Sequence, residues 1–280
     1  MKTKTTIVLT ILAAAIVCVE MCVTSVSAED DNAQLLKFVA ASLRNQETAC
    51  GASLEVEYTR VAERTDASGN LLERGEKQYR YIRTPNALRA DTLVNGKVVH
   101  QAFQDRATKA WREVSIYDSG CVAAEGQGIG EPFLNTEFFE TSRYLLEKKP
   151  LSEWILKAKV VSPKEMLDGR ECLKLHIDNI VSRPTGFDIW LDPAIGYNPR
   201  RIDKIIRPGD VVTINYEQYE PITNKVWFPK RMVVRSIEPE FRWNIKVVNT
   251  VTKISVGKAY TLEQLRPVIP SGAEVHVAGR

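Results

Sequence analysis

Polar and apolar residues alternate along most of this chain with a period of two. In "ASLEVEYTRV" (52–61), Leu54, Val56 and Tyr58 alternate with Glu55, Glu57 and Thr59, the pattern of a half-buried strand with a wet opposite face. "DASGN" turns the chain at 66–70, and "GEKQYRYIR" (75–83) alternates again with Tyr79, Tyr81 and Arg83 on one side. Pro85 closes that strand, because it has no N–H to give to a ladder. "ADTLV" and "VVHQAF" flank Asn95-Gly96, a strong hairpin signal, and "KAWREVSIY" (109–117) follows.

Two stretches carry the helical period instead. In 31–46, Asp31 or Asn32 can cap a helix whose stripe is Leu35, Leu36, Val39 and Leu43. In 135–149, Phe138, Phe139, Ser142, Leu145 and Leu146 share one broad face, and Pro150 ends it. Between the strands and this second helix, 118–133 has four glycines and no period, and reads as a mobile surface loop. Its G-x-G-x-G lacks the leading strand and following helix of a dinucleotide loop.

From 151 the strands resume: "EWILKAKVV", "RECLKLHID", "TGFDIWLDP", "RRIDKII", "DVVTINYEQYE", "KVWFPKRMVVRSI" and "WNIKVVNTVTKISV". In the third of these, Ile189 and Leu191 alternate with Asp188, Trp190 and Asp192. The tail at 259–277 reads as a short helical turn and an extended end. The sum is a mainly β chain with helices, of about eleven strands on short connections, which favour antiparallel pairing. So many twisted strands in one sheet tend to curl, and helices over the concave face would close a cavity. A flattened sandwich of two sheets fits the same periodicity.

The first residues set the compartment. Lys2 and Lys4, an apolar run at 7–19 and small residues at 26–28 form a signal peptide, with cleavage expected near Ala28. The run is too short for a comfortable span and Glu20 interrupts it, so no stable transmembrane anchor is expected. The mature domain is then 29–280, periplasmic or secreted. Export removes two lysines and one glutamate, taking the formal charge from +3 to +2. Such a balance, with no basic stripe, gives no footing for nucleic acid.

Cys50, Cys121 and Cys172 remain after cleavage, with no C-x-x-C pair for zinc or redox chemistry. Cys50 and Cys121 both neighbour glycines in loop-like stretches and are the candidate disulfide, leaving Cys172 single on the face of Lys174 and His176. The three histidines stand apart, and no H-E-x-x-H or G-x-S-x-G motif is present. Acidic pairs such as Glu55/Glu57 and Asp188/Asp192 read as wet strand faces. No catalytic residue, metal ligand or cofactor is expected, and the chain does not read as an enzyme.

Most of 52–111, with its corner Arg83-Thr84-Pro85-Asn86, its Asn95-Gly96 hairpin and its Ala107-Thr108-Lys109-Ala110-Trp111 strand, resembles the N-terminal half of the bacterial lipoprotein carriers LolA and LolB. "IWLDPAIGYNPRRI" (189–202) is similar to a strand-turn-strand of the wider superfamily, which includes the RseB-type regulators, and "YTLEQLRPVIPSGAEV" looks like its closing segment. The chain departs from the carriers at the corner, where Thr84 separates Arg83 from Pro85. The resemblance implies an open antiparallel half-barrel with helices plugging its concave face around an apolar cavity. It implies a carrier of lipid acyl chains or lipoproteins, or alternatively an envelope sensor with a protein partner. On that fold Leu54, Val56, Tyr58, Tyr79 and Tyr81 are expected to face Phe138, Phe139, Leu145, Ile189 and Leu191 across the cavity, with Arg83 near its mouth.

Overall fold

The structure, a computed structural model, describes residues 30–49, 53–127, 150–178, 185–207, 209–223, 226–238 and 243–278. Within them lies one open, curved sheet of fourteen strands. In chain order these are β1 (Leu54–Asp66), β2 (Leu71–Arg83), β3 (Ala87–Val94), β4 (Lys97–Asp105), β5 (Ala110–Tyr117), β6 (Gly120–Gln127), β7 (Lys159–Leu167), β8 (Arg170–Asp178), β9 (Gly186–Asp192), β10 (Asn198–Arg207), β11 (Asp210–Thr223), β12 (Val226–Glu238), β13 (Trp243–Val256) and β14 (Glu274–Ala278). Across the sheet they lie in the order β14-β6-β5-β4-β3-β2-β1-β13-β12-β11-β10-β9-β8-β7. Pairing is antiparallel throughout except where β14 joins β6 in parallel.

The sheet has fourteen strands where about eleven were expected, and two of the additional ones are β6 and β14. β6 lies inside the glycine-rich stretch read as a loop. Its small side chains carry no hydrophobic period, and it is held as a strand by backbone pairing to β5 and β14. β14 is the extended end of the tail. "EWILKAKVV" also divides differently: α2 (Leu151–Ile155) buries Leu151 and Ile155, one turn apart, before β7 begins. The expected helix over 135–149 lies outside the described residues.

The expected helix over 31–46 is α1 (30–49); of its expected stripe Leu36, Val39 and Leu43 are buried and Leu35 is half-buried, and Ala40 joins the buried face. These residues pack with Leu151 and Ile155 onto Leu173, Leu175, Ile177, Phe187, Ile189, Leu191, Ile202, Ile214, Tyr216 and Met232. All of these strand residues share one face, because register pairs Leu173 with Leu191, Leu175 with Ile189, Ile189 with Ile202, Ile202 with Ile214 and Tyr216 with Met232. α1 therefore sits over β8–β12.

Polar contacts set its position. Gln46 donates to the Gly196 carbonyl at 2.8 Å and accepts from Asn198 at 2.7 Å. A Cβ on Gly196 would come within 2.7 Å of Gln46, and its φ of +68° lies in the left-handed region, so both demands select glycine. α2 has no side-chain cap of its own. Glu47 of α1 supplies one, accepting from the Ser152 N–H at 3.1 Å and its hydroxyl at 2.5 Å.

The opposite face of β1–β6 is crossed by the tail. α3 (Leu262–Leu265) is closed by a capping box between Thr261 and Gln264. Leu265 is buried against Ile82, Ala87 and Phe103. Arg89 donates to the Gln264 and Leu265 carbonyls at 3.2 Å, and Arg112 to Pro267 at 3.0 Å.

Candidate binding site

Register places two rows of side chains across the α1-bearing face of the N-terminal strands. Val56 faces Tyr81, which faces Ala90, then Ala102, then Glu113. One step along, Tyr58 faces Tyr79, then Thr92, His100 and Ser115. Ala90, beside Tyr81, and Ala102, between Ala90 and Glu113, are small, so the middle of the face is recessed. The result is a hollow of about 880 Å³ lined by Tyr58, Tyr79, Tyr81, Ala90, Thr92 and Ala102, with Lys77, Lys97, His100 and Glu113 among its polar side chains. That is within the size range of small-molecule sites.

The aromatic floor is firmly set. Tyr58 and Tyr79 stack with ring centroids 5.0 Å apart and planes 11° off parallel. The Arg60 guanidinium lies 4.9 Å from the Tyr79 centroid, and its Nε–H donates to the Asn249 side-chain Oδ1 at 3.0 Å. Burial raises the Tyr58 phenol above its ordinary range, outweighing the nearby Arg60 charge, so it stays protonated. Leu54, Val56, Tyr58 and Tyr79 form one cluster with Phe228 and Val251.

A second hollow of about 360 Å³ adjoins the first, sharing Lys77 and Tyr79 and adding Arg60 and Arg64. Asn95 and Gly96, both at positive φ, make the tight hairpin that sets Lys97 opposite Val94. Lys77, Lys97, Ala90 and Ala102 were not picked out from the sequence. Lys77 shares the parity of Tyr79, which was a usable signal. The role of the alanines is visible only once their neighbours are known.

The expected site residues divide into groups. Tyr58, Tyr79 and Tyr81 line the large hollow; Leu54 and Val56 lie beside it in the packed cluster. Arg83 is half-buried one row beyond Tyr81, opposite Leu54 and Leu88, and is not part of the hollow's lining. Ile189 and Leu191 are on the same sheet face but fully buried in the cluster beneath α1. Phe138, Phe139 and Leu145 lie outside the described residues. So does Cys50; its expected partner Cys121, half-buried in β6, is a free thiol, against the expected disulfide, and Cys172 is a buried free thiol.

The acidic pairs are not simply wet. Glu55 is 2% exposed on the tail side, where it accepts from Tyr260 and from Arg80 at 2.8 Å. Burial pushes its carboxyl up, but Tyr260, Arg80 and the Lys258 charge prevail and hold it at about 2. Asp188 binds His176 Nδ1 at 2.6 Å, while Asp178 binds Nε2 at 3.0 Å. With both ring nitrogens on carboxylates, His176 is placed as an ion-pair partner. Among the described residues no three His, Cys, Asp or Glu side chains gather as metal ligands, and no helix is long and apolar enough to cross a membrane.

No protein-family model matches this sequence, and neither does any curated protein. Solved structures do. A domain assigned by name to outer-membrane lipoprotein sorting, from Vibrio parahaemolyticus, matches at 10% identity and a TM-score of 0.50, over 82% of this chain and 95% of that one. A LolA superfamily protein from Nitrosomonas europaea matches at 9% identity and a TM-score of 0.49, over 81% and 96%. MucB matches at 11% identity and a TM-score of 0.30, over 82% and 62%, too low to bear an argument. At these identities the likeness is one of fold: the chain shares the architecture of that lipoprotein-sorting domain.

Proposed function

We propose that this LolA-like chain is an exported carrier that holds an acyl chain, of a lipid or a lipoprotein, in the hollow above Tyr58, Tyr79 and Tyr81. The observation that carries the reading is the hollow of about 880 Å³ on the α1-bearing side of an open, curved sheet, with an aromatic floor and a small-residue centre. That side is taken as the concave one. Holding a chain needs no catalytic group; it needs apolar surface and an exit. Each buried methylene contributes about 0.8 kcal/mol. A sixteen-carbon chain would gain on the order of 10 kcal/mol before the costs of ordering, leaving room for a complex that still releases its cargo.

Native mass spectrometry of protein purified without detergent tests this directly. A co-purifying acyl species, displaced by a fluorescent fatty acid, is expected. Protein that arrives empty and binds no such probe removes the reading.

A further inference from the structure

Four neighbouring strands, β2, β1, β13 and β12, end together at one corner of the sheet. Register there sets Leu71 opposite Thr65, Asp66 opposite Trp243, and Trp243 opposite Glu238. Leu71, Leu72 and Ile237 at this corner are 58%, 51% and 60% exposed, and Trp243 is half-buried. Leu72 falls in the irregularity where Arg64 pairs with Glu73 and Thr65 with Leu71, so it has no residue opposite it. The turn that carries the leucines is tied shut: the Asp66 carboxylate accepts from the Ser68 and Asn70 backbone N–H groups at 2.9 and 2.8 Å and from the Asn70 amide at 2.9 Å. The Arg64 guanidinium lies 4.2 Å from the Trp243 ring. Charges beside the corner offset one another, Glu73 with Arg64 at 3.0 Å and Glu63 with Lys246 at 3.2 Å and Arg74 at 3.8 Å. Single exposed apolar residues are ordinary, but a group of them at one set of strand ends marks an apolar partner.

The hollow that opens onto this corner indicates the partner. The second hollow runs from Lys77 and Tyr79, which it shares with the large one, to Arg64, Glu73 and Ile245. Glu73 follows Leu72 in sequence and Ile245 is two residues from Trp243, so the path from the aromatic floor leads along β1 and β2 to the exposed leucines. Midway, Ala62 faces Gly75, and a Cβ on Gly75 would meet nothing within 4 Å. We infer that this corner docks on the surface of a phospholipid bilayer. Leu71, Leu72 and Ile237 enter the acyl boundary, Trp243 sits at head-group level, and an acyl chain passes between membrane and hollow along β1 and β2. The inference rests on the acyl-binding reading above and names the partner of that same site. Because the neighbouring charges offset one another, apolar burial drives the docking and salt does not remove it.

Flotation of the purified protein with phosphatidylcholine vesicles, at low salt and at about 0.5 M NaCl, tests this. The native protein is expected to float at both, and L71S/L72S to bind at least about tenfold more weakly. Both proteins are expected to bind a fluorescent fatty acid equally in solution. Brominated phosphatidylcholine in the vesicles should quench the native tryptophan emission, and W243F should lose that quenching. Circular dichroism melting checks that L71S/L72S folds, and I237S, on another strand of the same corner, serves if it does not. Native protein that stays off phosphatidylcholine vesicles overturns the docking corner while leaving the carrier reading standing. So does L71S/L72S floating as the native protein does, or binding that needs anionic lipid and disappears at high salt. Native protein that floats but binds no fatty acid overturns the carrier reading and the route along β1 and β2 with it.

Discussion

The Glu55 carboxylate accepts a hydrogen bond from the Tyr260 phenol across 205 residues of sequence, tying the first strand to the tail that crosses β1–β6. The same carboxylate holds Arg80 at 2.6 Å and faces Lys258 at 3.6 Å. It is therefore the ionic centre of the tail's attachment, beside the apolar anchor Leu265.

Glu55→Gln should destabilise the fold by about 1–3 kcal/mol at pH 7, because buried hydrogen-bond partners lose a charged acceptor. The pH dependence has a definite sign. Glu55 is held at about 2 against an ordinary 4.5, so its contribution is complete above 4.5 and is lost as pH falls through 2. Urea melts from pH 5 to 2 should show the wild type losing stability across that window and Glu55→Gln losing less. Parallel curves for the two proteins would remove Glu55 from this role.

His176 titrates with the opposite sign. Its hydrogen bond to Asp188 raises the imidazole above 6.5, burial working against it and Asp178 adding to it. Its contribution is complete below 6.5 and lost as pH rises through the elevated value. His176→Gln should flatten stability above pH 6.5. An NMR titration placing the His176 midpoint at or below 6.5 would contradict the geometry.

The hollow exists because Ala90 and Ala102 are small. Ala90→Phe should fill it and weaken binding of a fluorescent fatty acid by about tenfold or more, with little change in melting temperature, since the ring enters open space rather than a packed core. Undiminished binding by a folded Ala90→Phe protein would mean that the ligand lies elsewhere.

Leu191 reports on the other half of the sheet. It is fully buried under α1, so Leu191→Ala should cost about 2–5 kcal/mol. The folded fraction should keep its affinity for the probe. A selective loss of binding at unchanged stability would return Leu191 to the ligand site.

Much of this arrangement is local and was legible in the order of the residues. The period of two assigns Leu54, Val56 and Tyr58 to one side, and Tyr79, Tyr81 and Arg83 to one side, before any partner strand is known. Asn95-Gly96 specifies its hairpin because few other pairs tolerate two positive φ angles. The stripe of α1 follows from its 3.6-residue repeat. Lateral neighbours are a different matter. Backbone hydrogen bonds are blind to side chains, so nothing local in β1 says that β13 lies beside it, or that β14 will join β6 in parallel. That pairing decides which residues become buried. Glu55 has the pattern of a wet-face residue and ends up shielded because Tyr260 and Lys258 arrive from the far end of the chain. Ile189 and Tyr79 share parity and sheet face, yet α1 closes over one and the alanines leave a hollow beside the other. Alternation determined the side of the sheet each residue occupies; only long-range packing decided what covers that side.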